Sequence, residues 1–179
     1  MPEIEIRPAV SADIDPLMKI DHTTETSHVW QMERLVEEEQ VAINFRQVRL
    51  PRQVRINYSR PVEQLRTDWK KKTGFLVALL DKAPVGYVVL SEQEAPASAW
   101  ISDLVVAPKF RRQGIATGLL LAAQDWSGQR RLRRTVLEMQ SKNYPAIKLA
   151  FKLGYEFCGY NDHYYANQDI ALFFARYLR

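Results

Sequence analysis

The chain has 179 residues, with 46% hydrophobic and 26% charged residues and a formal net charge of +4. That length suits one domain spanning residues 1–179, and the composition excludes a disordered or low-complexity chain. The single cysteine excludes an intramolecular disulfide, and no apolar stretch reaches about 20 residues, the length of a membrane-spanning helix.

Met1 to Arg7 is charged and lacks the apolar core of a signal peptide, so a cytoplasmic location is expected. Glu3 to Arg7 alternates as a short strand. Ser11 to Asp13 offers a helix start, with Ile14, Leu17 and Met18 following at helical spacing. His22 to Trp30 is polar and threonine-rich and reads as a loop. Gln31 to Glu39 reads as a short acidic helix. Val41 to Leu50 and Val54 to Tyr58 alternate around Pro51-Arg52-Gln53, which predicts a hairpin. Pro61 opens a helix running to about Lys71.

Phe75 to Leu80 and Val85 to Ser91 flank the turn Asp81 to Pro84 and form a second hairpin. Ala99 to Val106 is the next strand, and Pro108 ends it because proline cannot donate to a ladder. Gly114 to Trp126 is an amphipathic helix. Thr135 to Met139 is a short buried strand. Pro145 to Leu153 is a helix closed by Gly154. Tyr155 to Tyr160 and Ile170 to Tyr177 are strands, and Cys158 within the first reads as a small buried hydrophobe. The order predicts an α/β (α+β) sandwich with a mixed, mostly antiparallel sheet of six to seven strands flanked by helices.

Arg130, Arg131, Arg133 and Arg134 form a basic cluster that reads as a solvated face. No aromatic residues interleave with these arginines, so nucleic acid is not expected as a partner. Three scattered histidines and one cysteine make no metal-ligand spacing, so no metal is expected.

The most informative stretch runs from Leu104-Val105-Val106 through Pro108-Lys109-Phe110 to Arg111-Arg112-Gln113-Gly114-Ile115-Ala116-Thr117. A buried strand enters a basic loop, then a glycine, then a helix. The first turn of a helix has unpaired N–H groups and a positive dipole end, which attract anions. Gly114 and Ala116 let a phosphate approach the backbone, and Arg111 and Arg112 add charge. In physical terms this is a pyrophosphate cradle.

A second segment extends the pattern: Glu138-Met139-Gln140-Ser141-Lys142-Asn143-Tyr144-Pro145-Ala146, then Leu149, Phe151 and Leu153-Gly154-Tyr155. The two segments together resemble the GNAT acetyltransferase family. Arg111-x-x-Gly114-x-Ala116 matches its pyrophosphate signature, and Asn143-x-x-Ala146 matches its second motif. The resemblance implies a GNAT fold, splayed at the two central strands, with acetyl-coenzyme A as co-substrate. It implies that the pantetheine arm pairs with the backbone of Leu104 and Val106 beside Val105, that Asn143 hydrogen-bonds the arm, and that Phe151 packs near the thioester.

Amine acetylation needs a base and, for the leaving thiolate, a proton source. Glu138 and Asp103 interrupt apolar strands, and charged residues rarely sit there without cause. Glu138 is the first candidate base, matching a glutamate of the ribosomal-protein N-terminal acetyltransferases; Asp103 is the second. The tyrosine that the family uses as an acid falls at Ala150, so Tyr155, Tyr160, Tyr164, Tyr165 and His163 are the substitutes, with Tyr155 carried forward. Leu137 to Gln140, Gly159 to Tyr165 and Ala171 to Phe174 also resemble streptothricin acetyltransferases. The expected acceptor is therefore a primary amine of a small cationic molecule or a peptide. Acetylation of protein N-termini and a coenzyme A-binding regulatory module are the alternatives, and the sequence is compatible with a homodimer.

Overall fold

The computed structural model describes residues 3–71, 73–93 and 97–179. In chain order the elements are β1 (Ile4–Pro8), α1 (Ser11–Met18), β2 (Thr24–Val36), β3 (Val41–Ile56), α2 (Leu65–Lys71), β4 (Gly74–Leu80), β5 (Ala83–Gln93), β6 (Ser98–Val106), α3 (Ile115–Gln129), β7 (Arg134–Gln140), α4 (Tyr144–Lys152), β8 (Glu156–Asn161) and β9 (Ala171–Tyr177). A seven-stranded sheet runs β1-β4-β5-β6-β7-β9-β8. Its pairs are antiparallel except β6 with β7.

The central strands carry near-continuous apolar runs because both faces of the sheet are covered. Leu119, Leu120 and Ala123 of α3 and Ile147 and Ala150 of α4 cover one face. Ile14 and Leu17 of α1 and Leu65 of α2 cover the other. Gly86 of β5 opposes Val106, and a Cβ there would lie 2.7 Å from the Val105 carbonyl oxygen. Only glycine lets β5 and β6 approach that closely.

α1 is anchored by one carboxylate. Asp13 accepts from the Val10 amide at 2.8 Å and pairs with Arg7 at 2.7 Å. Burial pushes this carboxyl up, but the Arg7 hydrogen bond, the Val10 amide and the Arg7 charge outweigh it, and its pKa lies below the ordinary value. A depressed folded pKa gives stability that is present above the unfolded value of about 3.9 and is lost as pH falls below it. Asp13→Ala is therefore expected to cost about 1 kcal/mol at pH 7, as loss of a helix cap does. Urea unfolding should show that difference shrinking at pH 3.

The region 22–58 departs from the sequence reading. The expected loop, acidic helix and Pro51 hairpin are replaced by one long antiparallel ribbon, β2 with β3, turning at Glu37–Gln40. Threonine, valine and tryptophan favour a pleated strand, and cross-strand pairing overrides the local acidic run. Pro51 sits where the ladder jumps from His28↔Arg49 to Thr26↔Val54. That is a bulge, and a two-stranded ribbon tolerates proline there. The ribbon is fastened to the main body by aromatics. Trp30 lies 5.6 Å from Phe151, and Phe45 lies 5.2 Å from Tyr160. Cys158 is exposed rather than buried, because β8 is an edge strand.

Candidate active site

The parallel ladder between β6 and β7 runs from Ser98↔Arg134 to Ile101↔Leu137 and then stops. Beyond Ile101 the β7-facing edge of β6 has no strand partner. A cleft opens there, lined by Ser102, Asp103 and Leu104 on one side and by Glu138, Met139 and Asn143 on the other.

A bulge controls what faces this cleft. Val89 pairs with Asp103 while Leu90 pairs with Ile101, so Ser102 is an extra residue in β6. Without it, Trp100 and Asp103, three apart, would point to opposite faces. With it, both meet Glu138 on the face away from α3. Trp100 Nε1 donates to Glu138 Oε2 at 2.7 Å, and Tyr164 donates to the same oxygen at 3.1 Å. Arg60 donates to Glu138 Oε1 and lies 3.5 Å from Asp103 Oδ1. Tyr58 donates to Asp103 Oδ1, and Ser102 donates to Oδ2 at 2.7 Å. Glu138 is thus buried and saturated with donors, whereas the Asp103 side chain keeps 10% of its surface open.

Burial first, and the Glu138 charge second, push Asp103 up to about 7. Burial also raises the phenols Tyr164 and Tyr165, helped by the same glutamate. His22, at the cleft wall, is held neutral. Its Nδ1 donates to the Ile20 carbonyl at 2.7 Å, so Nε2 accepts from Tyr87 at 2.9 Å, and burial lowers its pKa.

Just past the same end of β6, after Val106, the loop delivers a free helix start. Gly114 caps α3 with φ 85°, a left-handed value that glycine adopts without cost, and no side chain caps the helix. No acceptor among the described residues takes the amides of Gly114, Ile115, Ala116 or Thr117. These four unpaired donors stand at the positive end of the helix dipole.

This geometry coincides with a match of residues 31–155 to the acetyltransferase (GNAT) family. The chain belongs to the GNAT acetyltransferases. It is 30% identical over 113 residues to the N-alpha-acetyltransferase of Saccharolobus solfataricus, covering 57% of this chain and 68% of that one. It is 36% identical over 73 residues to the streptothricin acetyltransferase of Streptomyces lavendulae, covering 38% of this chain and 39% of that one. Among solved structures, nourseothricin acetyltransferase superposes with a TM-score of 0.84 at 20% identity, covering 98% of this chain and 99% of that one.

The residues expected of a GNAT site divide into three groups. Asp103, Leu104, Glu138, Asn143 and Ala146 line the cleft. Asn143 Oδ1 accepts from the Ala146 amide at 3.2 Å and caps α4, which leaves its Nδ2 free to donate. Arg112, Gln113 and Gly114 are exposed, and Ala116 and Thr117 partly so, whereas the Ile115 side chain is buried under the loop. Arg111 differs from expectation: its Nε donates to the Val106 carbonyl at 2.8 Å and its Nη2 to the Asp21 carbonyl at 3.2 Å. It braces the loop instead of projecting from it, and it occupies a carbonyl expected to face the arm. Val105 points into the opposite core layer.

Like the Val105 side chain, Tyr155 and Phe151 are not brought to the cleft. Tyr155 is buried, sharing a hydrogen bond with Thr135 at 2.9 Å and accepting from Gln124 at 3.2 Å. Thr135 is the second residue of β7 and Glu138 the fifth of seven, so the Tyr155 phenol sits toward the opposite end of the strand from the cleft. Phe151 faces Trp30 and Phe174 rather than the cleft. Of the other tyrosines considered, Tyr160 packs on Phe45, and only Tyr164 and Tyr165 reach the carboxylate pair. Ala150 is fully buried in the α4 core. The sequence reading missed Arg60, Tyr58 and Trp100. Their partners lie 38 to 78 residues away in the chain, so no local pattern marks them.

Proposed function

We propose that the protein acetylates a primary amine of a compact cationic molecule, using acetyl-coenzyme A. The observation that carries this reading is the break in the β6–β7 ladder. It leaves a free strand edge between a helix start with open amides and a buried carboxylate pair. A long acyl carrier with a diphosphate at one end fits that layout. The amides of Gly114 to Thr117, with Arg112 beside them, would hold the diphosphate, and Leu104 and Asn143 would flank the arm. The carrier supplies an activated thioester.

The chain's own residues prepare the amine. An ammonium is attracted by the acidic cleft, and the rings of Tyr58 and Tyr165 add aromatic walls. Asp103, poised near neutrality and lining the cleft with 10% of its side chain exposed, takes the proton. Glu138 has no free lone pair of comparable access. It anchors Arg60, Trp100 and Tyr164, so the roles favour Asp103 over Glu138 as base.

The N-alpha-acetyltransferase match supports a second reading, a peptide α-amine acceptor. Thiol release from acetyl-coenzyme A, followed with streptothricin, a linear polyamine and peptides bearing free N-termini, separates the two. Streptothricin is expected to give kcat/KM at least about tenfold above any peptide, the equivalent of about 1.4 kcal/mol. A peptide preferred by that margin would reverse the assignment. A folded protein that binds acetyl-coenzyme A but releases no thiol with any amine would leave only a regulatory role.

A further inference from the structure

Arg60 is the one cation inside the cleft's carboxylate cluster among the described residues, and the acetyl-transfer chemistry above gives it no task. It follows Ser59 in the segment between β3 and α2, and its side chain is 25% exposed. Its guanidinium is held on three sides. Nη1 donates to the Ser102 carbonyl at 2.9 Å and faces Asp103, Nη2 donates to Glu138, and the Tyr165 ring lies 5.7 Å from its centre. The titratable groups around it are Asp103 of β6, Glu138 of β7, Tyr87 of β5, Tyr58 after β3, and Tyr164 and Tyr165 between β8 and β9, with His22 packed against Tyr58 and Tyr87. Burial keeps Tyr87, Tyr164 and Tyr165 protonated and His22 neutral, and the Tyr58 hydroxyl donates a hydrogen bond to Asp103. The charge of the cluster is therefore set by three groups only.

We propose that Arg60 is a positioning residue that cancels one of the two carboxylate charges, so that the cleft takes the acceptor as a monocation and accepts a single proton from it. With both carboxylates ionised, the trio carries one net negative charge. A protonated amine brings it to zero. The proton then moves from the ammonium nitrogen to an Asp103 oxygen, leaving a neutral amine with its lone pair free and a neutral trio. The same proton later passes from Asp103 to solvent. Without Arg60 the cleft would carry two negative charges once Asp103 ionised, which it would do only at a higher pH. A second carboxylate charge would then hold the ammonium in its charged form, which cannot attack an acyl carbon. Arg60 thus trades tight binding of cations for release of the amine in its reactive form. This inference rests on the acetyltransferase reading and concerns the same cleft.

The test combines two readouts on wild type, Arg60→Met, Arg60→Lys and Glu138→Gln. The first is the titration midpoint of Asp103, read by carbon NMR on aspartate-labelled protein, which needs no turnover. The second is the pH profile of thiol release. Removing a cation at 3.5 Å should raise the Asp103 midpoint in Arg60→Met by about one unit or more. The acid limb of kcat/KM should move up with it, so that kcat/KM falls about fivefold or more at pH 7, and above the raised midpoint, where both carboxylates are ionised, KM for a polyamine should fall rather than rise. Arg60→Lys should move the midpoint and the limb back toward wild type. Glu138→Gln leaves Arg60 unneutralised, so the midpoint should drop, a prediction of opposite sign that stands if Arg60→Met does not fold. An Asp103 midpoint unmoved in folded Arg60→Met, or unmoved or raised in Glu138→Gln, overturns the inference while turnover by wild type keeps the acetyltransferase reading. Absence of thiol release by wild type with every amine overturns both.

Discussion

Asp103→Asn is expected to lower kcat/KM by about 10²- to 10⁴-fold, the usual contribution of a positioned general base. The wild-type profile should rise with pH through about 7, where Asp103 loses its proton. The variant should lose that limb. Its stability should change in the opposite direction. In the unfolded chain an aspartate titrates near about 3.9, whereas the folded one holds its proton to about 7. Between those values the native state binds more protons than the unfolded state, so stability falls as pH rises through the window. Asparagine carries no such cost, and its oxygen still accepts from Tyr58. At pH 8 the variant should therefore melt higher than wild type by differential scanning calorimetry while being nearly inactive. Loss of activity with a lowered melting temperature would instead mark Asp103 as structural, and activity within tenfold of wild type would move the base to another group.

This reversal is one form of a wider rule, that functional sites hold groups in places that cost stability. It also explains which parts of the site were readable from sequence. An acidic residue inside an apolar strand is a visible anomaly, so Asp103 and Glu138 stood out. The loop Pro108 to Gly114 stood out because strand, proline, arginines, glycine and helix follow one another without a gap. What was not readable was anything set by pairing over distance. The β2–β3 ribbon is held by cross-strand partners up to 32 residues apart and by Trp30 and Phe45 against a core far along the chain. Locally it looks like a polar loop and an acidic helix. Arg60 lies in an ordinary Tyr-Ser-Arg-Pro turn and gains its meaning only from Asp103 and Glu138. The bulge at Ser102 inverts a simple alternation argument: it puts Trp100 and Asp103 on one face. Tyr155 shows the converse error. Its place near the second motif drew it into the site, but its phenol bonds Thr135 near the start of β7, away from Glu138.

The helix start offers a test in which binding and folding must part. In α3 the first three positions are Ile115, Ala116 and Thr117, with no acidic residue among them and no side-chain cap. For a helix that only had to be stable this is a poor choice, since a carboxylate in the first turn usually contributes about 0.3–1 kcal/mol. Thr117 is partly exposed and stands three residues past Gly114, where a glutamate can reach back to the free cap amide. Thr117→Glu is therefore expected to raise the unfolding midpoint slightly. The same carboxylate would occupy the amides proposed for the diphosphate and repel it. Acetyl-coenzyme A affinity, measured by calorimetry, should fall by at least about 100-fold, because two like charges in contact and lost charge-assisted hydrogen bonds together exceed about 2.7 kcal/mol. Thr117→Gln, which keeps the shape and some of the cap without the charge, should lose far less. Unchanged affinity in Thr117→Glu would mean that the open amides of α3 serve no anion. The absence of a cap would then be a defect of this helix without a purpose, and the functional reading of the cleft would lose its diphosphate anchor.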